Sequence, residues 1–260
     1  MSRNSWMMLT GVQSSKPCES LAPPVAISGG KSVSIYLNRS GLPMELRELK
    51  KLVAQGEGIT LEFKRKATHP DKIMREVAAF ANTAGGFLLI GVDDDGSIPG
   101  LKYPDEDAYV LKSAIQKYCH PPVAYELRQV VVAPNRTVLV FHIKPCERKP
   151  VFVIYNFRNH RGRAYVRVAD RSIQASREMR QILKWADSPK QVGFTYGERE
   201  RFLMQYLAQH EKINVETLAS VANMRIEEAS ALLVRLTLAQ VLEIVPNESG
   251  DYFIRKPENW

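Results

Sequence analysis

The feature of this sequence that most constrains its fold is an unbroken apolar run with turn residues at both ends. The run, FLLIGV at residues 87–92, is suited to a central strand that is buried on both faces of a sheet. Gly85 and Gly86 precede it and predict the end of a helix, and DDDG at 93–96 predicts a turn after it. The preceding helix follows Pro70 and places its apolar residues on one face. This segment predicts a helix and a buried strand joined by a tight turn.

Helical and strand patterns follow one another along residues 41–187 and predict one mixed domain. Spacings of three and four predict helices, apolar-polar alternation predicts strands, and a Pro-Asn turn predicts a hairpin. The predicted helices cover 44–53, 70–81, 105–118 and 176–186, and the predicted strands cover 59–65, 87–92, a short segment near Ile98, 125–132, 136–143, 150–155 and 164–168. This order predicts an α+β (mixed α/β) sheet domain.

The two ends of the chain have a different character. Residues 1–40 are rich in Ser, Pro and Gly and predict a disordered leader, and residues 188–197 predict a short linker. Residues 198–260 predict three helices and a hairpin, which is the outline of a small winged-helix domain. The candidate recognition helix, Arg225 to Arg235, has two glutamates in its first turn. DNA reading and a protein-contact or dimerisation role therefore both stay open.

Positive charge is concentrated in the front of the chain. The formal net charge is +8 and the sequence pI is about 9.4. Residues 193–260 hold 7 Lys+Arg against 10 Asp+Glu, so residues 1–192 hold 29 against 18. An anionic partner such as nucleic acid is therefore expected to bind the front part.

Cysteine usage and hydropathy predict a cytoplasmic protein. The three cysteines are widely spaced, without a CxxC pair or zinc-ligand spacing, and predict free thiols in a reducing compartment. No stretch of the sequence approaches the roughly 20 apolar residues of a membrane span. The sequence therefore predicts no membrane partner.

Two carboxylates near a lysine form the first candidate site. Glu57 lies at a helix-to-strand junction, and Glu62 lies within the predicted strand on the same face as Lys64. Carboxylate oxygens are the ligands that Mg²⁺ or Mn²⁺ takes, and a metal held in this way assists phosphodiester cleavage. An ordinary Glu62–Lys64 ion pair on a solvated strand explains the same spacing. Asp93 follows the buried strand, where α/β sheets usually place functional groups.

A second candidate site consists of basic and polar residues suited to phosphate. Five arginines lie within 14 residues, with a tyrosine among them, and guanidinium groups bind phosphate while aromatic rings stack on bases. Asn82 in the turn before the apolar run is suited to backbone hydrogen bonds or to an RNA sugar or phosphate. A solvated edge strand with Tyr165 in the core is the structural alternative. The predicted nucleic-acid-binding residues are Lys64, Arg65, Lys66, Asn82, Arg158, Arg161, Arg163, Tyr165, Arg167 and Arg171.

Three motifs together resemble one known family. LEFKRK, FANTAGGFLLIGVDDDGSIPG and RGRAYVRVADRS are similar to segments of the Schlafen/AlbA-like domain, over about residues 41–186. This family is also catalogued as a DNA-binding or divergent ATP-binding domain. Many bacterial relatives add a C-terminal winged helix and look like transcriptional regulators. The resemblance therefore implies a nucleic-acid-binding protein of regulator type.

The same resemblance implies an alternative, a divalent-metal-dependent ribonuclease that acts on structured RNA. In animal Schlafen proteins, two glutamates five residues apart and an aspartate form the active site, and the matching positions here are Glu57, Glu62 and Asp93. Two lobes form a clamp there, so a chain with one such domain would need to form a homodimer. An ATP-binding switch is a second alternative, although the sequence has no complete phosphate loop and argues against ATP as a ligand.

Overall fold

The computed structural model describes residues 44–159, 161–185 and 197–256. All of them lie in one compact unit, Tyr36–Trp260. The predicted leader, 1–40, and all but one residue of the predicted linker, 188–197, lie outside the described residues.

The described elements alternate as the sequence predicts, and the mixed α/β fold class is confirmed. The helices are α1 Leu46–Val53, α2 Pro70–Asn82, α3 Pro104–Tyr118, α4 Arg177–Trp185, α5 Glu198–Gln209, α6 Val215–Val221 and α7 Ile226–Leu238. The strands are β1 Leu61–Lys64, β2 Gly86–Ile90, β3 Cys119–His120, β4 Tyr125–Ala133, β5 Arg136–Ile143, β6 Phe152–Asn156, β7 Arg161–Val168, β8 Arg171–Gln174, β9 Leu242–Val245 and β10 Tyr252–Arg255. None of the described helices has the length and apolar character needed to cross a bilayer.

The first sheet has the order β1-β2-β5-β4 and contains the apolar run as an inner strand. β1 and β2 are parallel, whereas β5 is antiparallel to both β2 and β4. Helix α1 packs on one face of this sheet through Leu49 and Val53, and α2 and α3 pack on the other. Leu88, Leu89 and Ile90 are therefore fully buried, as the sequence predicts.

The second sheet has the antiparallel order β3-β6-β7-β8. Tyr165 points toward the core that holds α2, while Ala164 and Val166 point to the opposite side, where Met179 and Leu183 of α4 pack. Helix α2 thus lies between the two sheets. This position lets side chains from β1, α2 and β7 meet.

A double-glycine turn brings α2 back into β2. Gly85 has a φ of +79°, in the left-handed region that favours glycine. A Cβ on Gly86 would lie 2.6 Å from the ring of Phe80, so the strand can approach the helix this closely only without a side chain. The turn therefore has a packing function.

The C-terminal residues form three helices and the β9-β10 hairpin around their own apolar core. Leu203, Leu233 and Phe253 are fully buried in it. Asn214 caps the N-terminus of α6, since its side chain accepts a 2.7 Å hydrogen bond from the Thr217 amide. The predicted elements are confirmed, and the winged-helix assignment stays a prediction.

One predicted strand is wrong, and two short strands were not predicted. The segment near Ile98 is a loop, in which Gly100 has a φ of +66° and Leu101 makes only an isolated bridge to Thr137. β3 has two residues and β8 has four, so neither is long enough to show a periodic pattern.

Candidate functional site

A buried polar cluster lies between the two sheets and is centred on Arg167. The side chain of this arginine is fully buried. Its Nη1 lies 2.9 Å from Oε2 of Glu62 and 2.7 Å from Oε2 of Glu76, and its Nη2 donates to the Gly58 carbonyl at 2.6 Å. The guanidinium also lies 4.9 Å from the ring centroid of Phe80. Arg167 therefore connects β7 to β1 and α2.

Glu62 and Glu76 each form an ion pair with a cation of this cluster. Oε1 of Glu62 pairs with Lys64, so each carboxylate oxygen of Glu62 has a cationic partner. Ser172 of β8 donates to Glu76. Burial raises the pKa of the Glu76 carboxyl, an effect that the Ser172 hydrogen bond and the charge of Arg167 oppose. The Glu62–Lys64 pair expected as the structural alternative is present, but it belongs to a buried network and not to a solvated strand.

Glu57 lies beside this cluster. Its Oε1 accepts a 2.8 Å hydrogen bond from the Phe63 amide. Burial raises the pKa of the Glu57 carboxyl, and the nearby charges of Glu62 and Asp94 raise it further, against the lowering effects of the Phe63 hydrogen bond and Lys64. The charge of Glu62 therefore acts on Glu57, and a shared role of the two carboxylates stays a prediction.

Asp93, the third predicted carboxylate, has different partners. It lies in the turn after β2, where Arg65 approaches it at 3.6 Å and Ser97 donates to it at 3.4 Å. Within the described residues, no group of three or more His, Cys, Asp or Glu side chains could hold a metal ion. A divalent ion at Glu62 would also have to displace Lys64 or Arg167. The residues as arranged do not fit the expected metal, and the catalytic and metal assignments stay predictions.

Three of the predicted nucleic-acid-binding residues are buried and have structural roles. The amide nitrogen of Asn82 donates to the carbonyls of Val151 and Tyr165, and its oxygen accepts from the Val151 amide at 2.6 Å. Tyr165 packs in the core, which is the structural alternative stated for it. Arg167 is held by the carboxylates described above. These three side chains do not belong to the exposed surface predicted for them, because Asn82 ends α2 facing the second sheet and α2 covers Tyr165 and Arg167.

The remaining predicted cations are at least partly accessible and lie in three places. Lys64, Arg65 and Lys66 line a groove of about 390 Å³ that also includes His69, Lys72 and Glu76. Arg171 is exposed and lies 3.4 Å from Glu248, which is a surface ion pair of small energetic value. Arg158, Arg161 and Arg163 are exposed on the β6-β7 hairpin.

The β6-β7 hairpin combines these arginines with exposed aromatic rings. Tyr155 is 57% exposed and Phe157 is 47% exposed. The guanidinium of Arg163 lies 5.2 Å from the Tyr155 ring centroid, and Lys117 of α3 lies 5.5 Å from that of Phe157. We call Tyr155, Phe157, Arg158, Arg161, Arg163 and Lys117 the hairpin surface.

Sequence reasoning missed Glu76 and Ser172, the second carboxylate and the hydroxyl that complete the Arg167 cluster. Both lie on elements distant from Glu62 in sequence, at separations of 14 and 110 residues. Helical spacing places Glu76 one residue before the buried Val77, on the edge of the apolar face of α2. That position could have indicated that Glu76 is partly buried, but it does not indicate which residue Glu76 pairs with.

Comparison with known families identifies the domain that carries these residues. Residues 57–176 match the Schlafen, AlbA_2 family. This segment of the chain is therefore similar to the Schlafen, AlbA_2 family, and the resemblance stated from the motifs is confirmed. This likeness indicates nucleic-acid binding at the level of the family.

Two solved structures are similar to parts of this chain. One is the N-terminal domain of a RecG-related protein from Nitrosomonas europaea, with 27% identity, a TM-score of 0.34, and coverage of 40% of this chain and 78% of that one. The other is the DIP2311 protein from Corynebacterium diphtheriae, with 20% identity, a TM-score of 0.40, and coverage of 81% of this chain. The chain spans only 38% of the length of the Corynebacterium protein. The family match, and not these likenesses, identifies the domain.

Proposed function

We propose that this protein binds single-stranded nucleic acid through the hairpin surface and acts as a regulator. The observation that carries the proposal is the pairing of exposed aromatic rings with exposed cations on one hairpin. Stacking on aromatic rings suits unpaired bases of any sequence, while guanidinium groups hold the phosphates between them. Tyr155 and Phe157 are about half exposed, so their rings are accessible to a base, which rings packed in the core would not be.

Charge on the hairpin surface supports the same proposal. Among the described residues, no carboxylate forms an ion pair with Arg158, Arg161 or Arg163, so their charge is available to a ligand. The groove at Lys64–Lys66 offers further cations within the same domain. Phosphate contacts of this kind give affinity without sequence preference.

Replacing both exposed rings tests this proposal. Tyr155→Ala/Phe157→Ala should weaken binding of a labelled single-stranded oligonucleotide by at least about tenfold, because stacking contributes roughly 1–3 kcal/mol per base. Fluorescence anisotropy with RNA and DNA oligonucleotides, single-stranded and duplex, measures the effect and the preference.

The matched control removes two exposed tyrosines elsewhere. Tyr103 is 57% exposed and Tyr109 is 74% exposed, both at or near the start of α3. Tyr103→Ala/Tyr109→Ala should leave affinity within about twofold, as expected for surface substitutions away from a site. Equal losses in the two double variants, or no binding by the wild-type protein, would reject the hairpin surface.

A metal-dependent ribonuclease is the second candidate function. It is favoured by one observation: burial raises the pKa of the Glu57 carboxyl, and the charge of Glu62 raises it further, as expected for two carboxylates in one neighbourhood. It is opposed by Lys64 and Arg167, the cations that already hold both oxygens of Glu62. A metal would have to displace one of them before it could bind Glu62.

Glu57→Gln separates the two candidates better than a change at Glu62. Glutamine keeps an oxygen that accepts from the Phe63 amide, whereas removing Glu62 would leave Arg167 buried without one of its partners. Incubation with transfer RNA and Mn²⁺ should give no cleavage that differs between wild type and Glu57→Gln. Mn²⁺-dependent cleavage that this variant abolishes would establish the ribonuclease instead.

A further inference from the structure

A second basic cleft lies on the α4 side of the second sheet, at the edge where β3 pairs with β6. Its volume is about 470 Å³, within the range typical of small-molecule sites. We call it the α4 cleft. Its lining includes Arg148, Lys149, Phe152, Arg177, Arg180 and Lys184.

The α4 cleft has a strong excess of positive charge. Five of its lining residues are Lys or Arg, and none is Asp or Glu. Arg180 donates to the Ala175 carbonyl, which leaves its charge unbalanced. Within the described ranges, no carboxylate pairs with Arg148, Arg177 or Lys184. Cations gathered in one concave site repel one another unless an anion occupies it, so the cleft is suited to a multiply charged anion.

The cleft also offers apolar surface for a ring. Phe152 is half-buried on the α4 side of the sheet, and Pro121 and Pro150 lie on the loops beside it. Gln181 and His120 add polar groups capable of hydrogen bonding. An inorganic anion would use only the cations, whereas a ligand with a planar ring and a phosphate would use both parts.

We infer that the α4 cleft binds a nucleoside phosphate. The guanidinium groups of Arg148 and Arg177 hold the phosphate, and the base packs against Phe152 and the prolines. The ligand is either a free nucleotide or the phosphorylated end of a strand, since both present the same chemistry. Phe152 faces α4, whereas Tyr155 and Arg163 lie on the other face of the sheet, so the inference does not depend on the hairpin surface.

Calorimetric titration of the full chain tests the ligand class. Adenosine 5′-monophosphate and uridine 5′-monophosphate should bind at least about tenfold more tightly than adenosine or inorganic phosphate, because each of those lacks one of the two contacts. Inorganic phosphate binding as tightly as the nucleotides would overturn the role of the apolar surface. Absence of nucleotide binding up to millimolar concentration would overturn the inference itself.

A matched pair of double variants tests the location. Arg148→Gln/Arg177→Gln should weaken mononucleotide binding by at least about tenfold, the effect of losing one charge-assisted hydrogen bond. Arg199→Gln/Arg201→Gln makes the same change in net charge on the exposed side of α5 and should leave mononucleotide binding unchanged. All four arginines are exposed, so both variants should fold. Equal weakening by the two variants would mean that only general electrostatics is measured and would overturn the site.

Competition with short oligonucleotides assigns the source of the ligand. Displacement of the mononucleotide by a 5′-phosphorylated strand, but not by its unphosphorylated counterpart, supports a strand end as the ligand. Failure of both strands to displace it supports a free nucleotide. If Tyr155→Ala/Phe157→Ala loses oligonucleotide binding but keeps mononucleotide binding, the two sites are separate, and the failure of one proposal remains distinguishable from that of the other.

Discussion

Arg163 and Arg167 illustrate how the same residue type on one strand acquires two different roles. Both fall on the face of β7 that also carries Tyr165, as the alternation predicts. Arg163 lies beyond the helix cover and packs over Tyr155, while Arg167 lies under α2 and is surrounded by Glu62 and Glu76. The position of α2 decides which residues on this face of β7 are buried. The sequence of β7 does not indicate that position.

Arg167→Met should therefore be strongly destabilising, although it removes a residue that the sequence places on the binding face. Removing one partner of a buried ion pair leaves an uncompensated charge and costs about 3–5 kcal/mol of the free energy of unfolding. Urea denaturation followed by circular dichroism measures this difference.

Arg163→Met is the control for that substitution. It lies on the same strand and is exposed, so its effect on the free energy of unfolding should stay within about 0.5 kcal/mol. If Arg167→Met cost no more than Arg163→Met, Arg167 would be solvated, and its predicted role in phosphate binding would be restored.

At the scale of elements, local patterns predicted what local forces determine. The apolar run of β2, the amphipathic helices and the β4-β5 hairpin were found from periodicity and turn residues alone, because each is specified within a few residues. The family motifs predicted the domain correctly. The β1, α2 and β7 residues that form the Arg167 cluster lie far apart in sequence, so their meeting was outside the reach of any local pattern.

The motif residues also turned out to act differently from the way residue type suggests. Asn82 has the hydrogen-bonding groups of an RNA-binding residue, yet it ties the end of α2 to Val151 and β7. The α4 cleft had no motif at all, since its cations come from separated segments of the chain. Burial determines the role of Asn82, and the meeting of distant segments forms the α4 cleft.

Helix α7 shows a similar limit for the C-terminal part. Its position after α6 suggests a recognition helix, but Leu232, Leu233 and Leu236 are buried in the local core, and α4 packs on it. The exposed first turn presents Glu227, which repels phosphates, and Arg225 is paired with Glu228. The charge of this turn is therefore unfavourable for contact with phosphates, and the two roles left open by the sequence stay predictions.

For the whole molecule, the unequal charge of its parts locates the electrostatic contribution to binding. Residues 1–192 hold 29 Lys+Arg against 18 Asp+Glu, whereas residues 193–260 hold 7 against 10. The hairpin surface, the Lys64–Lys66 groove and the α4 cleft all belong to the positive part. Nucleic acid should therefore be attracted to this part and repelled by the C-terminal helices.

Affinity for a single-stranded oligonucleotide should consequently fall linearly on a plot of log K against log salt concentration. Each phosphate contact with a single strand contributes a slope of about −0.7, so Arg161→Gln/Arg163→Gln should make the slope shallower by roughly 1.4. Arg199→Gln/Arg201→Gln removes the same charge from α5 and should leave the slope unchanged, because those exposed arginines lie in the acidic part. Anisotropy titrations at several salt concentrations give all three slopes. Equal changes in both variants would show that net charge, and not the hairpin surface, governs binding.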